Sequence, residues 1–239
     1  MRRLGDAGGL EPGAFAGAER AAPADRPWVM VNMVCSVDGA TAVDGESRAL
    51  SGPADRALFH HLRGLADLIL VGAGTVRADR YGPARPAPEV RAQRVARGQA
   101  PAPGIAVVAG RGELPWESAL FTQAETPTLV ITAATAPAPP HRPHLTAGQA
   151  RVDVPDALAQ LRRRDVRVLL CEGGPHLLGQ LAAAGLIDEV FLTVSPRLVG
   201  GDSSRVMAGP EVGVGGRLVL AGIARDGEML FLRYLRRPE

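Results

Sequence analysis

The stretch Val168–Leu181, VLLCEGGPHLLGQL, runs from an apolar tetrad through a carboxylate and two glycines into a helical repeat. Val168, Leu169, Leu170 and Cys171 form an unbroken apolar run, as expected of a strand buried on both faces of a parallel sheet. From Pro175 the period changes. Leu177, Leu178 and Leu181 share one side of a helix, and a proline suits its first turn. Gly173 and Gly174 stand at the handover. Without a Cβ they let backbone N–H groups approach an anion, and the helix dipole favours negative charge there. Glu172 is left at the carboxyl end of a strand, the edge at which open α/β sheets bind their ligands. It reads either as a functional carboxylate or as a cap for local N–H groups.

The same grammar extends along the chain. Strand signals cover 28–37, 67–73, 104–110, 126–132, 166–171 and 189–195. Helix signals cover 53–66, 155–164 and 175–184. Strands alternating with helices predict an α/β fold with a mostly parallel central sheet flanked by helices. Two final β-rich runs, 216–224 and 228–235, predict a C-terminal antiparallel strand pair that makes the sheet mixed. Residues 1–27 are rich in Gly, Ala and Pro and predict a flexible N-terminal arm, so that 28–239 forms a single domain. The Pro- and Arg-rich stretch 82–103 reads as a long loop, and 136–144 as a connection.

Composition removes several classes of chemistry. The chain has 239 residues and a formal net charge of +2, so it carries no electrostatic footprint for nucleic acid. All 27 basic residues other than His are Arg, which excludes a Schiff-base lysine and a P-loop lysine. The two cysteines, Cys35 and Cys171, lie in apolar strand-like runs and point to a reducing compartment rather than a disulfide framework. No signal-like segment and no membrane-length apolar run is present, so a cytoplasmic location without a membrane partner is expected. His141 and His144 lie in a Pro-rich loop without acidic or Cys neighbours, so no metal is expected.

Other positions carry weaker signals. LVGAGTVRADR (70–80) is a second glycine turn leading into helical sequence. Gly72 and Gly74 begin a dinucleotide fingerprint, but Arg77 takes the third glycine position and no acidic strand end follows, so that motif fails. Asp38-Gly39 is a turn signal between apolar stretches. On the helix at 53–66, Arg56, His60 and Arg63 form a polar stripe opposite Leu58, Phe59, Leu62 and Leu65. That stripe reads as a solvated face or as an anion-binding edge.

Taken in order, NMVCSVDGA (32–40), GES (45–47), SGPADRALFHHLR (51–63), DLILVGAGTVRAD (67–79), CEGGPHLLGQL (171–181) and GLIDEVFLTVSPRLVGG (185–201) resemble one family. It is the pyrimidine reductase group of riboflavin biosynthesis, the RibD C-terminal type with a dihydrofolate-reductase-like fold. The resemblance runs from about Trp28 to Leu235 and is nearest to stand-alone actinobacterial members. It implies an oxidoreductase that uses NADPH to reduce the ribosyl group of 5-amino-6-(5-phosphoribosylamino)uracil to a ribityl chain. It also implies a homodimer with a small-molecule substrate.

The resemblance carries over residue by residue. It places Cys35, Ala49, Thr75 and Asp79 at the cofactor, with the phosphates against Gly173, Gly174, Pro175, His176, Leu177 and Leu178. Asn32, Ser47, Arg63 and Arg85 match substrate-side positions, with Arg85 as phosphate ligand. Glu172 matches the carboxylate that faces the substrate, and Asp38 is a second catalytic candidate. Arg111, in the GRG turn after the strand at 104–110, is a candidate for the 2′-phosphate, since guanidinium matches phosphate geometry. Three positions depart from the family pattern. Asn32 stands where bifunctional members often carry Lys, DRYGPAR (79–85) replaces an Asp-Asp-Pro segment, and Ala49 replaces a bulkier residue. The remodelled segment leaves a second reading open, a related NADPH reductase of a pterin-like or unphosphorylated substrate with dihydrofolate reductase side activity. A third is a nucleotide-binding sensor.

Overall fold

The computed structural model describes residues 9–17, 19–79, 81–110, 114–212 and 216–237. Nine strands form a single sheet: β1 (Trp28–Ser36), β2 (Leu68–Gly72), β3 (Gly104–Val108), β4 (Leu129–Thr132), β5 (His144–Thr146), β6 (Val168–Cys171), β7 (Glu189–Ser195), β8 (Leu218–Asp226) and β9 (Met229–Arg236). Their order is β5-β4-β3-β2-β6-β1-β7-β9-β8. All pairs from β5 to β7 are parallel. β9 runs antiparallel to β7 and β8 antiparallel to β9, so the expected mixed sheet with a C-terminal hairpin is present.

Burial on both faces explains the continuous apolar runs. Val29 and Val31 of β1, Leu68 and Leu70 of β2 and Leu169 and Cys171 of β6 enter one core cluster. Helices α6 (Val154–Arg162) and α7 (Pro175–Ala183) cover it with Leu158, Leu161, Leu177, Leu178 and Leu181. The alternate residues face the other way. Met30 and Leu170 meet Leu58 and Leu62 of α2 (Pro53–Leu65), whereas Ile69 and Val71 meet Val76 of α3 (Ala73–Ala78) and Phe121 of α5 (Ala119–Thr122). Period-two alternation thus loads both faces, and each fully buried Leu contributes about 1.5–3 kcal/mol.

Three expectations are corrected. Ordered structure begins before Trp28, because α1 (Pro12–Ala16) precedes it. Ala16 is fully buried beside Leu58 and Phe231, and Arg20 reaches the buried Glu189 with Nε–Oε2 2.7 Å. Phe15, edge-on to Phe191, the buried Ala16 and two largely buried ion pairs, Arg20–Glu189 and Arg26–Asp188, therefore hold the described part of the expected arm. The supposed loop at 82–103 contains α4 (Pro88–Ala96). That helix lacks an apolar stripe because it buries Arg94 instead, whose Nη1 donates to the carbonyls of Gly64 and Ala66 at the end of α2. Burial lowers the Arg94 pKa to about 10. Finally, His144, the last residue of the expected connection 136–144, already belongs to β5, which pairs with β4.

Candidate active site

The carboxyl ends of β1, β2, β3 and β6 open onto a cavity of about 1510 Å³. β6 lies between β2 and β1, so chain segments far apart in sequence meet at this edge. Single-ligand pockets are commonly about 300–1,000 Å³. The volume here has room for a large ligand and a second small one.

One wall is bare backbone. Gly72 N donates to Gly173 O at 2.8 Å, which draws the end of β2 against the turn after β6. A Cβ on Gly174 would stand 2.9 Å from Thr75 Oγ1, and one on Gly72 would stand 3.3 Å from Gly174 N. Gly174 has φ −75°, a conformation open to any residue, so it is glycine for want of space. Gly173, at φ +92°, needs glycine for its conformation. Gly174 also caps α7, and no side chain caps that helix start. Its first-turn N–H groups are therefore not taken by a capping side chain. Gly174, Pro175, His176 and Leu177 line the cavity, as do Thr75 and Asp79, so six of the expected cofactor positions converge there.

Another part of the lining is polar and tightly paired. Arg63 of α2 and Glu172 after β6 form a bidentate ion pair, Nε–Oε1 2.7 Å and Nη2–Oε2 2.7 Å. Their side chains are only 15% and 4% exposed. Arg63 Nη2 also donates to the Tyr81 hydroxyl at 2.8 Å, and that hydroxyl makes a short hydrogen bond to Glu172 Oε2. The guanidinium lies 4.1 Å from the Phe59 ring centroid and 5.3 Å from that of Tyr81. Burial works against the Arg63 charge, but the facing carboxylate overrides it and holds the group above its ordinary pKa. Burial, then the same carboxylate, pushes the Tyr81 phenol well above its usual value. The stripe of Arg56, His60 and Arg63 is thus neither wholly solvated nor a free anion edge. Arg63 turns inward onto Glu172, and His60 has its pKa lowered by burial and by the Arg63 charge.

The other expected residues divide. Asn32 and Ser47 line the cavity. Asn32 Oδ1 is buried with no hydrogen-bond partner among the described residues, and the Ser47 hydroxyl lies 3.5 Å from Asp79 Oδ2. Arg85 points elsewhere, with Nη2 on Gln123 Oε1 at 2.9 Å. Cys35 is buried in β1, Ala49 is exposed on the 3-10 turn Ser47–Leu50, and Leu178 packs in the core; none is among the cavity-lining residues. Gly173 lies behind the wall it shapes. Asp38 is exposed and outside the lining residues. Its carboxylate accepts from Ser36 Oγ at 2.5 Å, Gly200 N at 2.7 Å and Val199 N at 3.1 Å, so it ties the loop after β1 to the loop after β7. Those donors, the Ser36 hydroxyl first, hold it at a pKa of about 2. Arg111 lies outside the described residues.

Tyr81 and Arg48 line the cavity without having been named from the sequence, whereas Arg56, which also lines it, belonged to the stripe read as a solvated face or an anion-binding edge. The only signal for Tyr81 was its place in the segment that departs from the family pattern. Among the described residues, no group of three or more His, Cys, Asp or Glu side chains is placed to hold a metal. No described helix is long and apolar enough to cross a membrane.

This sheet, with its cleft at a strand-order reversal beside a glycine turn, defines a dihydrofolate-reductase-like α/β protein. The dihydrofolate reductase of Enterococcus faecalis, solved with NADP(H), matches at TM-score 0.50 and 13% identity, over 88% of this chain and 97% of that one. A pyrimidine reductase-like protein from Corynebacterium diphtheriae matches at TM-score 0.80 and 24% identity, over 90% and 94%. The chain belongs to the RibD C-terminal domain family, whose model matches residues 27–232. Its relative in Archaeoglobus fulgidus, 2,5-diamino-6-ribosylamino-4(3H)-pyrimidinone 5′-phosphate reductase, is 34% identical over 188 residues, 75% of this chain and 84% of that one.

Proposed function

We propose that the protein is an NADPH-dependent reductase of riboflavin biosynthesis that converts the ribosylamino group of a 6-ribosylaminopyrimidine 5′-phosphate to a ribitylamino group. The observation that carries this reading is one cavity of about 1510 Å³ with a bare glycine wall and a buried Arg63–Glu172–Tyr81 cluster. The substrate named by the sequence resemblance is 5-amino-6-(5-phosphoribosylamino)uracil. The Archaeoglobus relative is named for the 2,5-diamino form, which differs at ring C2.

The cofactor fits the residues present. The Gly72–Gly174 approach leaves no Cβ on a wall that would face a pyrophosphate, and the start of α7 would offer N–H groups to it. Thr75 and Asp79 line the same wall. When bound, NADPH would supply the hydride that the reduction needs. The residues of the chain align and polarise the substrate. Glu172 accepts from a substrate N–H or O–H group, and Asn32 Oδ1, buried without a partner, accepts a second. Arg63 is committed to Glu172, so the substrate phosphate falls to Arg48 and Arg56, both exposed and lining the cavity.

The same commitment of Arg63, with Arg85 turned to Gln123, supports the second reading, reduction of an unphosphorylated or pterin-like substrate. NADPH oxidation with the phosphorylated and dephosphorylated pyrimidines separates the two. Preference for the phosphorylated compound supports the first reading, and indifference to the phosphate supports the second.

A homodimer belongs to the same proposal. The edge strand β8 leaves Val219 48%, Leu220 52% and Ile223 40% exposed. An apolar sheet edge of this kind is ordinarily paired or covered, and a two-fold contact is the commonest way. Light scattering at micromolar concentration is expected to give twice the chain mass, and a monomer would overturn this part.

A further inference from the structure

We propose that Tyr81 is a positioning residue that acts through Glu172, orienting the carboxylate so that Oε1 keeps the acceptor capacity offered to the substrate. The inference rests on the reductase reading for its kinetic arm only.

A carboxylate has about two acceptor sites on each oxygen. Oε2 takes two donors, Arg63 Nη2 at 2.7 Å and the Tyr81 hydroxyl. Oε1 takes one, Arg63 Nε at 2.7 Å. The asymmetry comes from Tyr81, since a bidentate guanidinium by itself loads the two oxygens equally. Tyr81 also accepts from Arg63 Nη2 at 2.8 Å, so its hydroxyl closes a ring of hydrogen bonds around the ion pair. The geometry holds the partners as well as the carboxylate. The Arg63 guanidinium is flanked by the Phe59 and Tyr81 rings, and the carbonyl of Arg63 receives Arg94 Nη1 at 3.3 Å, which steadies the end of α2. On α2, His60 lies one turn before Arg63 and senses both Arg63 and Glu172, and Arg56 lies a further turn away.

Tyr81 follows Asp79 by two residues, so one short segment lines the cofactor wall and sets the acid of the substrate wall. A tyrosine with no such task would need only one partner for its hydroxyl and no contact with both members of an ion pair.

Tyr81→Phe keeps the ring beside Arg63 and removes only the hydroxyl. It is expected to lower kcat/KM for the pyrimidine about tenfold while leaving the NADPH dissociation constant unchanged. In a Glu172→Gln background, whose residual turnover is slow but measurable, the same substitution is expected to have no further effect, because the residue through which it acts is already disabled. A packing role would give equal losses in both backgrounds and would overturn the proposal.

A second measurement needs no turnover. The chain has two tyrosines, Tyr81 and Tyr234, and their ionisation is read by ultraviolet difference absorbance. One phenol is expected to resist ionisation far beyond the ordinary range in the parent protein. It should ionise at lower pH in Glu172→Gln, because removing a negative charge favours phenolate. Two ordinary titrations in the parent, or no shift in Glu172→Gln, would overturn the clamp. If the enzyme turns over no pyrimidine at all, the functional reading falls and the absorbance titration still decides the clamp.

Discussion

Arg63→Met removes one partner of a buried ion pair while keeping much of the aliphatic volume. Glu172 is 4% exposed and its oxygens receive two of their donors from Arg63 at 2.7 Å. The substitution strands a carboxylate with only Tyr81 beside it, and breaking such a pair costs about 3–5 kcal/mol. A chain of this length loses about 2–4 °C of Tm per kcal/mol, so the midpoint should fall by about 6–20 °C. Urea denaturation followed by circular dichroism measures the same loss as a shift in midpoint at constant slope. The double variant Arg63→Met/Glu172→Met should recover most of that stability, because an apolar pair of similar volume replaces a buried ion pair at little cost. It should recover no activity. A loss under about 0.5 kcal/mol for Arg63→Met, the range of ordinary surface changes, would show that the guanidinium is solvated and that the pair is not a feature of the folded protein.

Further outcomes follow from the same geometry. Gly174→Val sets a branched side chain where even a Cβ would lie 2.9 Å from Thr75 Oγ1. NADPH affinity should fall at least tenfold, about 1.4 kcal/mol, in a protein that still folds; unchanged binding by fluorescence titration would make the turn purely structural. Arg48→Ala and Arg56→Ala should each raise KM for the phosphorylated substrate up to about fivefold, as befits exposed charge contacts, whereas Arg85→Ala should leave it unchanged. A large effect of Arg85→Ala would return the phosphate to that residue. Burial pushes the Cys171 thiol up to about 12 and raises that of Cys35, so neither should be alkylated by iodoacetamide in the folded protein at mildly alkaline pH. Rapid modification detected by mass spectrometry would contradict that burial.

The strand–glycine–helix passage at 168–181 was readable because each part has a local cause: apolar continuity, absent Cβ atoms and a new period. The closing hairpin was readable for the same reason. What eluded the sequence depends on contacts between distant residues. Arg63 and Glu172 are 109 positions apart, and nothing local to α2 says that its polar stripe turns inward. α4 escaped notice because it buries an arginine against carbonyls rather than an apolar face. Asp38 sat in a turn signal beside apolar sequence, but its carboxylate serves backbone N–H groups that arrive from 199 and 200. Arg85 occupies a plausible place in the sequence and still ends on Gln123, because the segment after Tyr81 leads away from the cavity.

The reaction proposed is a hydride transfer to a ribosylaminopyrimidine phosphate. It is tested most directly by mixing the purified protein with NADPH and 5-amino-6-(5-phosphoribosylamino)uracil, or its 2,5-diamino counterpart, following absorbance of the reduced cofactor and identifying the product by mass. NADPH consumption should be matched mole for mole by a ribitylamino product two hydrogens heavier than the substrate, and Glu172→Gln should slow it strongly without abolishing it. NADPH consumption with dihydrofolate but with neither pyrimidine would contradict it.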